Sequence, residues 1–99
     1  MALDELPIPP SSQLADNARE VLRVWINSTN DMDVTLLPAF AKPEIWGILL
    51  VDIARHAARA YEQDGEHSLQ EALDRVRAGL DAEWDHPTDM GITSKLHEQ

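Results

Sequence analysis

Two pairs of side chains in the middle of the chain have the types and the spacing that could support chemistry. Asp52 and His56 lie four residues apart, and so do Arg55 and Arg59. Residues four apart on a helix are neighbours on one face. A carboxylate beside an imidazole can orient a general base or share a metal ion, and paired guanidinium groups can hold a carboxylate or a phosphate. These four residues are the candidate ligand-binding set.

A structural interpretation of the same residues competes with this one, because exposed acids and bases often form local ion pairs on the wet face of a helix. The remaining histidines (His67, His86 and His97) do not fall at the spacings of familiar zinc motifs, and the chain contains no cysteine. It also has no glycine-rich phosphate loop and no nucleophile elbow. We therefore expect no catalytic residue, no bound metal and no cofactor, and we interpret Asp52 and His56 as a local ion pair.

The charge of the chain narrows the classes of partner. Eighteen acidic residues stand against eight basic ones, a formal net charge of −10, and the excess is concentrated between Glu62 and Asp85. Such a charge disfavours binding to nucleic acid or to an anionic membrane, and is compatible with a basic partner or with solubility alone. The longest apolar run, from Ile45 to Val51, is too short to span a membrane. An N-terminus without signal-peptide features and the lack of cysteine predict a cytoplasmic protein.

The first half of the chain has the pattern of a β-hairpin. Residues 20–27 are rich in β-branched and aromatic side chains that alternate between two faces, one carrying Leu22, Val24 and Ile26 and the other Val21, Arg23 and Trp25. A cluster of turn formers follows at 27–33, and 34–37 form a second short strand that ends at Pro38. We expect an antiparallel pair joined by a loop longer than two residues.

Two helices are predicted after the hairpin. The first begins at Pro43 and ends near Gly65, and its first half is apolar around nearly the whole circumference, which favours burial. The second begins at Ser68, which with Glu71 matches the capping box, and ends near residue 85. Its apolar stripe is formed by Leu69, Leu73, Val76, Leu80 and Trp84, and pairs of Glu71 with Arg75 and of Arg77 with Asp81 are expected on its polar face.

These elements define an α+β fold in which an antiparallel β-hairpin is followed by two α-helices (ββαα). We expect an extended lead-in at 1–18 with one short helical turn from residue 14, a single domain at 19–87 and a polar tail at 88–99. Both ends are expected to be disordered. Two helices give the hairpin little cover, so the sheet or core is expected to be completed by a homodimer. The candidate interface residues are Trp25, Val21, Ile45 and Ile48.

Several segments resemble one known family. The segments are EVLRVWI in the first strand, PEIWG and DIARHAARAY in the first helix, and the pair Glu83 and Trp84 at the end of the second helix. Together they resemble a family of short, mainly alphaproteobacterial proteins known as domain of unknown function 5076, over about residues 19–89. The resemblance supports one domain and implies no activity.

Two functional hypotheses follow. The leading one is a dimeric, non-enzymatic interaction or regulatory protein whose acidic second helix or tail meets another protein. The alternative is a small-molecule-binding protein or enzyme that uses Asp52, Arg55, His56 and Arg59 beside a tryptophan-lined pocket. A buried cleft at this helix face favours the alternative, and a flat, solvated face favours the first hypothesis.

Overall fold

The computed structural model of the chain describes residues 4–88 and, as backbone, residues 92–95. In chain order its elements are α1 (Pro10–Gln13), β1 (Leu22–Ile26), β2 (Met32–Leu36), α2 (Glu44–Gln63), α3 (Leu69–Asp85) and β3 (Ile92–Lys95). The antiparallel hairpin followed by two long helices is the ββαα arrangement predicted from the sequence, and the α+β fold class is confirmed.

The hairpin is held in register by its own cross-strand pairs and by a polar loop. Leu22 pairs with Leu36, and Ile26 pairs with Met32. In the loop, the side-chain oxygen of Asn27 accepts hydrogen bonds from the backbone N–H groups of Thr29 and Asp31, each at 3.0 Å. Asn30 adopts a left-handed conformation with φ of 64°, which asparagine tolerates better than most residues. The predicted turn formers therefore close the loop as expected.

β3 is the element that sequence reasoning missed. It pairs in parallel with β2, from Asp33 opposite Ile92 to Leu36 opposite Lys95, and gives a sheet of order β1-β2-β3. The expectation of disorder at both ends is therefore wrong for Ile92–Lys95, and also for the short helix Pro10–Gln13, which lies before the turn expected from residue 14. The physical reason at β3 is that an open strand edge offers backbone donors and acceptors to any extended segment, without a need for apolar side chains.

The helix ends follow local chemistry. α2 begins at Glu44, one residue after Pro43, and the chain leaves it through Gly65 with φ of 81°, as predicted for a glycine stop. At the start of α3 the Ser68 hydroxyl oxygen accepts a hydrogen bond from the Glu71 N–H at 3.1 Å. The second half of the predicted capping box is wrong, because the Glu71 carboxylate contacts His67. Of the predicted pairs on α3, Arg77 with Asp81 forms at 3.1 Å.

The core of the single chain is very small. Among the described residues only Leu37, Ala58 and Ala72 are buried. The helices pack on each other and the strands pair with each other, but no helix packs against a strand of the described elements. The radius of gyration of 15.5 Å exceeds the roughly 13 Å of a compact domain of 100 residues. The sheet and the helical pair are thus two layers that one chain does not bring together.

The apolar first half of α2 was expected to be buried, and in the single chain it is not. Ile48 is 59% exposed and Val51 is 52% exposed, whereas Trp46 is half-buried and contacts Phe40 edge-on with the ring centroids 5.4 Å apart. The predicted apolar circumference is present, but burial depends on a covering element, and none of the described strands supplies it.

Candidate interaction surface

The four polar residues proposed as a ligand set lie on the open face of α2. Asp52, Arg55, His56 and Arg59 are all exposed. Within the described part of the chain, none of their side chains makes a hydrogen bond or an ion pair, so the predicted local pair of Asp52 with His56 is not formed. An exposed pair gains little Coulomb energy in water and loses side-chain entropy when it forms. The four side chains are solvated.

A metal site is equally unsupported in the part of the chain that the structure describes. Across residues 4–88, no three histidine or carboxylate side chains lie together in an arrangement that could hold an ion. His67 has a different local role, because its ring contacts the Glu71 carboxylate and packs edge-on against Tyr61 at 6.0 Å between centroids. Through these contacts His67 links the turn between the helices to the start of α3.

An apolar cleft of about 570 Å³ opens between α2 and α3. The buried residues Ala58 and Ala72 lie close to the turn that joins the helices, where small side chains allow close approach. The cleft occupies the half away from that turn. Its apolar lining consists of Gly47, Leu50, Val51, Ala54, Leu73, Val76, Leu80 and Trp84. Trp84 is 78% exposed, so the cleft is a broad open surface for packing.

Charged side chains flank this cleft without converging on a common point. Arg55 is the only member of the proposed ligand set that lines the cleft. The neighbouring Arg77 is engaged by Asp81 through its Nε at 3.1 Å from both carboxylate oxygens. At the cleft, Arg55 therefore has no second unengaged guanidinium group beside it with which to clamp an anion. The cleft suits apolar contact better than recognition of a small charged ligand.

A second apolar surface lies on the sheet. The pairs Leu22 with Leu36, Val24 with Val34 and Ile26 with Met32 all place their side chains on one face of the hairpin. Val24, Ile26 and Met32 on this face are among the exposed large apolar residues. The opposite face is mixed, since Trp25 is paired with Asp33 and Arg23 with Thr35.

The proposed interface residues fall on different surfaces. Trp25 and Val21 are half-buried on the mixed face of the hairpin, and Ile45 and Ile48 are exposed at the start of α2. Val24 and Ile26 belong to one predicted face of β1 but not to the predicted interface residues. Met32 lies outside the predicted second strand, which begins after this residue. The signal that finds all three is the antiparallel register, which aligns apolar residues of both strands on one face.

Electrostatic contacts fasten the lead-in and the end of α3. Arg23 forms ion pairs with Glu20 at 3.0 Å and with Glu5 at 2.7 Å. The hydrogen bonds to these two carboxylates raise the pKa of the Arg23 guanidinium group, and the bond to Glu20 has the larger effect. After α3, the Thr88 hydroxyl and N–H donate to the Glu83 carboxylate at 2.6 and 3.0 Å and lower the pKa of Glu83. Both contacts lie at the surface and organise chain segments.

The class defined by these observations is a small α+β protein whose sheet and helical pair each leave an apolar face open. Within that class, the chain belongs to the family described as Domain of unknown function (DUF5076), whose model matches residues 5–88. The resemblance stated from the sequence is therefore confirmed.

Among the solved structures that match the chain is one that shares both its sequence and its fold. It is described as "Structure of a putative pyruvate dehydrogenase from the photosynthetic bacterium Rhodopseudomonas palustrus CGA009", is 39% identical and has a TM-score of 0.76, with 96% of this chain and 97% of the other covered. No curated protein matches the chain. In the described part of the chain, no helix has the length and apolar character needed to cross a membrane.

Proposed function

We propose that the chain is a non-enzymatic interaction module that works as a homodimer. The observation that carries the proposal is the accessible surface of 8721 Å². A folded monomer of this mass exposes roughly 5,700 Å², so the excess is about 3,000 Å² per chain. Obligate homodimers bury roughly 2,000–5,000 Å² in total over both subunits. If each of two chains buried only half of this excess, the total area buried in the dimer would already lie within that range.

The distribution of apolar side chains supports the same proposal. Large apolar residues are exposed on the hairpin, on α2 and on α3, while only three described residues are buried. Exposed apolar surface of this extent is typical of interaction sites. A second copy of the chain always accompanies the first in the cell and carries the same surfaces, so it is the simplest occupant.

A role as a small-molecule-binding protein or enzyme is the second candidate. The similar structure described as a pyruvate dehydrogenase and the cleft between α2 and α3 favour it. The exposure of Asp52, His56 and Arg59, which lie outside the cleft lining, argues against it. We expect no binding heat when pyruvate is titrated into the protein by calorimetry. Stoichiometric binding that is lost in Arg55→Ala and kept in Arg59→Ala would favour the second candidate.

The charge and the composition suggest the setting in which the module works. A net charge of −10 keeps the dimer dispersed and favours a basic protein as any further partner. The absence of cysteine fits the reducing cytoplasm, which is the compartment that we propose.

Sedimentation equilibrium at micromolar concentration tests the dimer. We expect a mass of twice the 11.1 kDa of one chain, and a mass of one chain at every concentration would refute the proposal. Val24→Asp and Trp25→Asp place a charge on opposite faces of β1, so the variant that dissociates identifies the face that the partner covers. Thr35→Asp, at an exposed position on the mixed face, is the matched control, and circular dichroism checks that each variant is folded.

A further inference from the structure

The open sheet face and the open helical cleft are complementary in chemistry. The sheet face carries six uncharged apolar side chains from three cross-strand pairs of β1 and β2. The cleft is lined mainly by aliphatic side chains and by the exposed ring of Trp84. Packing of helices onto the apolar face of a sheet is the usual way in which an α+β domain closes its core. Both halves of such a core are therefore present in this chain.

The two halves do not meet within one chain. No helix packs against a strand among the described elements, although a seven-residue connector, 37–43, leads from β2 directly to α2. Val24, Ile26 and Met32 remain 48%, 59% and 44% exposed. At about 25 cal/mol for each Å² of apolar surface, leaving both faces in water is unfavourable. A second surface must cover each of them.

We propose that the helical pair of each subunit covers the sheet face of its partner, so that the dimer is interlocked and contains two equivalent helix-on-sheet cores. This inference rests on the proposed homodimer and specifies its geometry. In this reciprocal exchange, the two subunits are related by one two-fold axis. The sheet face and the cleft of both chains are then covered, and neither surface remains open to a third chain. Two such contacts per dimer would provide the burial that half of the surface excess of each chain allows, which is within the range of obligate homodimers.

Charge placement is compatible with this arrangement. Asp33 and Arg23 are paired with residues of the mixed face and so point away from the apolar sheet face. On the helices, Arg55, Asp74, Arg77 and Asp81 lie at the cleft, with both signs represented and Arg77 already joined to Asp81. Docking the apolar face of β1 and β2 onto the apolar centre of the cleft therefore places no charged residue of the hairpin against the charged residues at the cleft.

Cysteine cross-linking tests the arrangement, because the natural chain contains no cysteine. Val24→Cys on the sheet face and Leu80→Cys in the cleft are made in separate chains that carry tags of different size. The chains are mixed, exchanged through mild denaturant and treated with a short bis-maleimide. We expect a cross-linked heterodimer of Val24→Cys with Leu80→Cys, formed at least tenfold faster than with the control Thr35→Cys on the opposite sheet face.

The other outcomes separate failure of the arrangement from failure of the dimer. Sedimentation of the same uncross-linked samples reports whether a dimer exists. Cross-linking of Val24→Cys only to itself in a dimeric sample would show stacked sheets and overturn the exchange while keeping the dimer. In the double variant with Val24→Cys and Leu80→Cys, rapid cross-linking within one chain would show that the helices fold back on their own sheet, which overturns the exchange. The homodimer is overturned as well if the uncross-linked sample sediments with the mass of one chain. A dimer without the heterodimer product also overturns the exchange.

Discussion

At the scale of single residues, the start of α3 depends on one hydroxyl group. The Ser68 oxygen accepts a hydrogen bond from the Glu71 N–H at 3.1 Å and satisfies a donor that has no partner within the helix. The Glu71 carboxylate contacts His67 instead of returning to the Ser68 amide. The cap was predictable because it depends on residues three apart, whereas the choice between two partners for Glu71 depends on the conformation of the turn before it.

Ser68→Ala should lower the free energy of unfolding by about 1 kcal/mol, because it removes this cap. Ser68→Asp should retain most of the stability, since its carboxylate can accept the same hydrogen bond. Urea denaturation at a fixed protein concentration measures the difference. Ser28→Ala in the hairpin loop is the control, and an equal loss in both alanine variants would show that the cap contributes nothing specific.

The carboxylate of Glu83 should titrate below its ordinary value of 4.5, because the Thr88 hydroxyl and N–H both donate to its charged form. A carboxyl group with a lowered pKa in the folded state contributes stability above its unfolded pKa, and the contribution is lost as the pH falls through the folded pKa. Thr88→Ala should raise the pKa of Glu83 toward 4.5. A side-chain NMR titration measures this shift, and Thr29→Ala should leave the pKa of Glu83 unchanged.

At the scale of elements, α3 shows how far an amphipathic pattern predicts burial. Leu73 and Val76 lie on the stripe read from the sequence and are half-buried against α2, whereas Leu80 and Trp84 on the same stripe are exposed. The stripe indicates which face is apolar. The crossing of the two helices decides which part of this stripe lies close enough to α2 to be covered.

Leu73→Ala and Val76→Ala should each lower the free energy of unfolding by about 1–4 kcal/mol, because each leaves a void between the helices. Arg75→Ala, between them on the exposed side, should change it by less than about 0.5 kcal/mol. Chemical denaturation of the three variants at equal concentration measures the effect. Equal midpoints for all three would mean that the buried face of α3 is assigned incorrectly.

Gly79→Ala should raise the free energy of unfolding by about 0.5–1 kcal/mol, since alanine favours the helix and an added Cβ meets nothing within 4 Å in the single chain. Gly65→Ala is the matched control and should destabilise the protein, because φ at Gly65 is 81°. Thermal unfolding of both variants is the measurement. A loss of stability in Gly79→Ala would place a partner chain against this part of α3.

At the scale of the whole molecule, charge and apolar surface act in opposite directions. Each chain has a net charge of −10, so two copies repel each other, while the surface excess of the single chain favours association. The two effects differ in their dependence on salt. Added salt screens the repulsion over distances beyond about 10 Å at 0.1 M and leaves apolar contact largely unchanged.

The dissociation constant of the proposed dimer should therefore fall several-fold as NaCl is raised from low to physiological concentration, and the unfolding temperature should rise with protein concentration. Analytical ultracentrifugation over a salt series measures the first effect, and calorimetry over a concentration series measures the second. A dissociation constant that increases with salt would indicate an interface held by ion pairs and would contradict an apolar one.

The strands, the long helices and their stops were predictable because they depend on residues that are neighbours along the chain. Alternation in 20–27, the cap at Ser68 and the stop at Gly65 are all local. The apolar face made by Leu22, Val24 and Ile26 was equally visible in the sequence. The sequence alone thus determined the hairpin, the two long helices and which of their faces are apolar, but not α1 or β3.

Only the tertiary structure decided where those faces lie in space. It paired β3 with the free edge of β2, left Asp52 and His56 apart on a solvated face, and kept the sheet away from the helices. These outcomes depend on contacts between segments distant in sequence, where backbone hydrogen bonding at a strand edge and the crossing of two helices outweigh local preference. A local pattern shows that a face must be covered, but the element that covers it is selected by long-range packing.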